Sequence, residues 1–142
     1  MKIQEIMTQN VIRIHPEETV AVAARQLAHH NIGAMPVCNH DGRIFGMVTD
    51  RDLVTRCIAA GHSPEKTKVR DVMTGYLVSA SPEMSTVAAA QLMSKKQVRR
   101  LPVVENGVLK GMVSLGDLAR REETEADAAD ALSGVSANVR RE

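Results

Sequence analysis

The chain has 142 residues, of which 44% are hydrophobic and 25% charged, enough to bury a core without a metal or disulfide staple. Eighteen Lys and Arg against 17 Asp and Glu leave a net charge of +1, which supplies no field to draw the chain onto nucleic acid or an anionic membrane. Aromatic residues amount to 1%, Phe45 and Tyr76, which argues against a stacking platform for single-stranded nucleic acid and leaves the core to aliphatic residues and Met.

The opening segment, MKIQEIMTQN, alternates polar and apolar residues and lacks the apolar stretch of a signal peptide. No apolar run is long enough to span a bilayer. The two cysteines, Cys38 and Cys57, have no framework spacing. A soluble, cytoplasmic protein is the expectation.

Further along, the sequence is written twice. Pro16, Glu17, Leu27 and Pro36 recur as Pro82, Glu83, Met93 and Pro102, at an offset of 66. After a one-residue deletion in a turn the offset becomes 65, so Gly42, Gly46 and Thr49–Asp52 match Gly107, Gly111 and Ser114–Asp117. The lead-ins agree as well, Ile6-Met7-Thr8 with Val72-Met73-Thr74. Each copy predicts a short strand (Val11–Ile14 or Leu77–Ser79) that stops near a Pro, then a helix capped by Thr19 or Ser85. A second strand follows (Val37-Cys38 or Val103-Val104), then a Gly-containing turn and a third strand (Ile44–Val48 or Val108–Val113). A last helix begins after Thr49 or Ser114, each with Asp three positions on, close to a capping box.

The expected fold is therefore α/β (α+β), two βαββα repeats packed about a pseudo-twofold axis, because a unit near 60 residues is marginal alone. The expected division is 1–66 for the first repeat with its connecting helix, Leu53–Lys68, and 67–123 for the second. A tail over 124–142 follows, with a short helix over Thr124–Leu132 that Ser133-Gly134 ends.

The runs Met-Pro-Val…Gly-Met-Val-Thr-Asp-Arg-Asp-Leu and Leu-Pro-Val…Gly-Met-Val-Ser-Leu-Gly-Asp-Leu resemble tandem cystathionine-β-synthase (CBS) domains, the Bateman module, over residues 1 to about 123. The chain is similar to stand-alone bacterial CBS-pair proteins. The resemblance implies a non-enzymatic regulatory module, a homodimer joined through its helices, and an adenosyl ligand (AMP, ADP, ATP, NAD or S-adenosylmethionine) in clefts between the repeats. On this resemblance Asp52 and Asp117 accept from ribose hydroxyls, while Thr49 and Ser114 lie where helix amides meet ribose or phosphate. Thr8, Ile12, Thr74 and Val78 belong to the walls that hold adenine.

The copies differ at an informative place. Arg99 and Arg100 precede Leu101-Pro102, where the first copy has Gly33 and Ala34 before Met35-Pro36, and Arg51 stands opposite Gly116. Paired guanidiniums suit phosphate oxygens, so at least one cleft is expected to prefer a phosphorylated adenosyl ligand. Met35 and Leu101 are expected near the ligand. The alternative is a structural interaction module with unoccupied clefts, in which Asp52 and Asp117 serve only as helix caps. No His or Cys pair has metal-ligand spacing, no nucleophile or phosphate-binding glycine loop stands out, and a redox role for Cys38 and Cys57 is a third reading.

Overall fold

The computed structural model describes residues 1–137. It consists of two compact units, Met1–Asn10 with Val78–Glu142, and Val11–Leu77. We call them unit 1 and unit 2. Their boundaries cut across the sequence repeats, because the lead-in of each repeat folds onto the body of the other.

The exchange is written in matched hydrogen bonds. In unit 1 the amides of Ile3 and Gln4 donate to the carbonyls of Met84 and Pro82, at 2.8 and 3.1 Å. In unit 2 the amides of Val69 and Arg70 donate to Glu18 and Pro16, at 2.8 and 3.0 Å. Each lead-in forms a 3-10 turn, Ile3–Glu5 or Val69–Asp71. Ile3 and Ile6 are buried in one core, and Val69 and Val72 in the other.

Helix α1 (Val20–His30) is capped by Thr19, whose side chain accepts from the Val22 amide. A left-handed Asn31 ends it, so strand β1 (Ala34–Cys38) can turn back. Strand β2 (Ile44–Thr49) pairs antiparallel with β1. Helix α2 (Asp50–Leu53) runs into a π-helical turn, Val54–Ile58. Unit 1 repeats the plan with α3 (Thr86–Lys96), capped by Ser85, and strands β3 (Arg100–Glu105) and β4 (Val108–Ser114). Asn106 and Gly107, both at positive φ, make the two-residue turn between those strands. Helix α4 (Leu115–Ala119) follows.

The strands expected at Val11–Ile14 and Leu77–Ser79 do not form as such. Each contracts to one parallel bridge, Ile14 to Val37 and Ala80 to Val103. Proline explains both ends. Ile14 donates to the Pro36 carbonyl and accepts from Cys38, but the next bond on either side needs an N–H from Pro16 or Pro36. Around Ala80 the same two donors are missing at Pro82 and Pro102.

The connection Leu53–Lys68, expected to be helical, is so only to Ile58, and Gly61 at φ +80° turns the chain away. The tail departs in the other direction. Helix α5 (Glu125–Ala137) passes straight through Ser133-Gly134 and packs on α3 and α4. An ideal Cβ on Gly134 would collide with Ser94 of α3, so this glycine allows a close helix crossing rather than a stop. Ser136 and Ala137 still belong to this helix, and the rest of the tail, after position 137, lies outside the described residues. Both cores are aliphatic, and Phe45 and Tyr76 lie exposed.

Candidate functional site

Each unit gathers its candidate residues at one end of its hairpin. In unit 2, Ala34 is registered opposite Thr49, and the Asp50 amide donates to the Gly33 carbonyl at 3.0 Å. In unit 1, Arg100 is registered opposite Ser114, and the Leu115 amide donates to the Arg99 carbonyl at 2.9 Å. The exchanged lead-ins complete these ends. Thr74 forms an antiparallel bridge with Met47, and Thr8 forms the same bridge with Met112.

Glycines in the third strands admit the lead-ins. A Cβ on Gly111 would lie 2.6 Å from the Thr8 carbonyl oxygen, and one on Gly46 would overlap the Thr74 carbonyl. The repetition of these glycines signals their importance in the sequence. The contact that demands them comes from a distant segment and has no local signature.

Both helix starts are capping boxes. The Thr49 hydroxyl accepts from the Asp52 amide at 3.0 Å, and Asp52 Oδ2 accepts from the Thr49 amide at 3.0 Å. Ser114 Oγ accepts from the Asp117 amide at 3.2 Å, and Asp117 Oδ2 accepts from the Ser114 amide at 2.8 Å. Asp52 and Asp117 are consequently buried, and one oxygen of each carboxylate is committed to the backbone. The other oxygen of Asp117 pairs with the Arg120 guanidinium, whose side chain is 71% exposed. The other oxygen of Asp52 lies 3.8 Å from Arg56 Nε. Arg56 also donates to the carbonyls of Val72 and Met73, at 3.3 and 3.1 Å, tying Asp52 to the segment just before Thr74. Neither Arg56 nor Arg120 figured among the candidate residues, since the sequence does not reveal how the helix turns aim them.

The two ends differ in charge. Unit 1 presents exposed Arg99 and Arg100, and neither guanidinium enters an ion pair among the described residues. Unit 2 places Gly33 there, beside Asp50, whose Oδ2 would be 3.5 Å from a Cβ on that glycine. Arg51 is exposed on α2. Met35 and Leu101 are buried whole in their own cores, on strands paired with Val48 and Val113, so neither presents the expected surface to a ligand. Ile12 packs against the unit 2 core and Val78 against that of unit 1, so the unit boundary separates Ile12 from Thr8 and Val78 from Thr74.

Other reactive groups are quiet. Burial pushes the Cys38 thiol above its usual range, against thiolate chemistry. Cys57 is buried and donates to the His62 carbonyl at 3.5 Å. The His15 and His40 rings lie 4.6 Å apart. Among the described residues no group of three His, Cys, Asp or Glu could hold a metal, and no helix is long and apolar enough to cross a membrane.

Comparison with known proteins places this geometry. The CBS domain family matches residues 3–58 and 69–123. The CBS domain-containing protein YhcV of Bacillus subtilis is 41% identical over 134 residues, covering 94% of both chains. The crystal structure of Hypoxic Response Protein I, which coordinates two zinc ions, is 33% identical with a TM-score of 0.78, covering 85% of this chain and 98% of that one. Hypoxic response protein 1 of Mycobacterium tuberculosis is 34% identical over 117 residues, covering 82% of both chains. The CBS domain pair of protein MJ0100, solved with 5′-methylthioadenosine and S-adenosyl-L-methionine, is 25% identical with a TM-score of 0.72, covering 84% of this chain and 94% of that one. Two matched segments, a shared fold and a shared repeat agree: the chain belongs to the CBS-domain family and carries two CBS domains in tandem.

Proposed function

We propose that the protein is a regulatory module, not an enzyme, that binds a phosphorylated adenosyl ligand such as AMP, ADP, ATP or NAD and signals through the conformation of a homodimer. The observation that carries the reading is the unit 1 end, where Arg99 and Arg100 stand beside the Ser114–Asp117 capping box. Guanidiniums with no ion-pair partner among the described residues suit phosphate, and a carboxylate fixed by its own helix suits ribose hydroxyls. Ribose contact requires the exposed Arg120 to swing off Asp117, which costs little at a solvent-facing side chain. The adenosyl ligands of the MJ0100 pair support the nucleoside part. Thr8 and Val78 belong to the same unit, and the reading gives them the adenine wall. At unit 2, Ile12, Gly33, Ala34, Thr49, Arg51, Asp52 and Thr74 make a second, less cationic site. Two unpaired thiols support a cytoplasmic setting.

A second reading is an interaction module with unoccupied clefts, favoured by the fact that both oxygens of Asp117 already have partners within the chain. Calorimetric titration with AMP, ATP, NAD and S-adenosylmethionine separates the two. Binding of at least one phosphorylated ligand supports the first reading, and no millimolar-or-better binding by all four supports the second.

A further inference from the structure

The carboxylates of the two capping boxes are countered by different cations, held in different ways. In unit 2 the Arg56 guanidinium is tethered elsewhere, since its Nη1 donates to the carbonyls of Val72 and Met73 while its Nε lies 3.8 Å from Asp52. In unit 1 the residue matching Arg56 at the offset of 65 is Arg121, which makes no ion pair among the described residues. Arg120 acts in its place. It donates to Asp117 Oδ1, and its side chain makes no other hydrogen bond among the described residues. Its counterpart in unit 2 is Thr55, whose hydroxyl donates to the Arg51 carbonyl at 2.8 Å instead. Gly116 makes room for the contact, because a Cβ there would lie 3.3 Å from Arg120 Nη1, and unit 2 has Arg51 at that position. The Arg120 guanidinium thus lies over the first turn of α4, whose Leu115 amide is bonded to the Arg99 carbonyl.

We infer that Arg120 is a specificity lock: it occupies the ribose-binding carboxylate of Asp117 until a ligand phosphate draws it away, so unit 1 favours phosphorylated adenosyl ligands over those without phosphate. The inference rests on the nucleotide reading above and adds the regulation of that site. Burial decides which partner moves. The Asp117 side chain is 9% exposed and that of Arg120 71%, so the carboxylate is fixed and the guanidinium is free to leave. Charge balance decides the preference. A neutral nucleoside takes the carboxylate with its ribose hydroxyls and leaves Arg120 unpaired, exchanging an ion pair for a weaker bond. A nucleotide offers Arg120 a phosphate in return, beside Arg99 and Arg100, so the pair is replaced and not lost. Ligands without phosphate, S-adenosylmethionine among them, bear the full cost of displacing the guanidinium. The double engagement of Asp117 is then the closed state of a binding site.

The test is calorimetry of adenosine and AMP on the full chain in an Asp52→Asn background, which weakens the unit 2 site. Arg120→Gln and Arg120→Lys are compared with this parent, and circular dichroism melts follow the fold. Arg120→Gln is expected to tighten adenosine about two- to fivefold, the range of an exposed ion pair, while AMP holds or weakens. Arg120→Lys, which keeps the charge, is expected to lie nearer the parent for both ligands. A general defect of the fold weakens both ligands together and cannot give this divergence. Adenosine unchanged or weakened by Arg120→Gln, or both ligands tightened alike, with AMP still bound by the parent, would overturn the lock and leave the nucleotide reading standing. Binding gained only in Arg120→Gln would support the lock. No binding of either ligand by the wild-type chain or by Arg120→Gln would overturn the nucleotide reading and the lock with it.

Discussion

Lys2 Nζ lies 2.7 Å from Glu83 Oε2, and at the repeat's offset of 66 the same pair recurs as Lys68 and Glu17, at 2.8 Å. Each pair joins a repeat's lead-in to the body of the other repeat. The Lys68 contact holds the Glu17 carboxyl below its ordinary range, with help from Arg70 and His15. Its hydrogen bond to Glu83 raises the Lys2 ammonium above its ordinary value.

The pH response follows from these directions. Because the folded Glu17 value is depressed, its contribution is present above the unfolded glutamate pKa and is lost as pH falls through the folded value. Because the folded Lys2 value is raised, its contribution is complete below the unfolded lysine pKa and is lost as pH rises through the folded value. Denaturant midpoints measured across pH should show Glu17→Gln flattening the acid side and Lys2→Met the alkaline side. Both effects should be small and should shrink in high salt, since the pairs are solvent-exposed. An acid limb unchanged in Glu17→Gln would show that this contact contributes no acid-sensitive stability.

The glycines beneath the lead-ins should be far less tolerant than their surface neighbours. Gly111→Ala sets a methyl 2.6 Å from the Thr8 carbonyl oxygen, so strand or lead-in must move. We expect a loss of about 1–3 kcal/mol, the range for overpacking, read as a lowered melting temperature. Gly46→Ala should cost a similar amount through Thr74. Gly75→Ala, with nothing within 4 Å of its Cβ, is the control.

Asp117→Asn separates helix capping from ligand binding. Its amide oxygen can still accept from the Ser114 amide, so the fold should persist with a modestly lower melting temperature. Loss of the charge should weaken ribose contact by roughly 1.5–3 kcal/mol, about tenfold or more in affinity by calorimetry. Affinity unchanged at every site would leave Asp117 a cap only.

Much of the fold is legible in the sequence because it is local chemistry written twice. The caps at Thr19 and Ser85, the capping boxes at Thr49 and Ser114, and the Asn106-Gly107 turn each act within a few residues. The exchange of lead-ins is not legible, since a hydrogen bond from Ile3 to Met84 leaves no short-range pattern. Proline misleads at Val11–Ile14, where Pro16 and the distant Pro36 together trim the expected strand to one bridge. Gly134 misleads in the opposite sense, because its close approach to Ser94 looks, along the sequence, like a helix stop. At the candidate site, residue types are legible as far as Asp52, Asp117, Arg99 and Arg100. The engagement of the carboxylates by Arg56 and Arg120 depends on helix geometry that appears only in the fold.

The proposed role of Arg99 and Arg100 in unit 1 is phosphate recognition. Its most direct measurement is calorimetry of AMP and adenosine against the wild-type chain and the Arg99→Ala, Arg100→Ala double variant. AMP is expected to bind wild type at least about tenfold more tightly than adenosine, and the double variant to lose most of this difference. Equal losses for AMP and adenosine, or no preference for AMP in the wild-type chain, would contradict it.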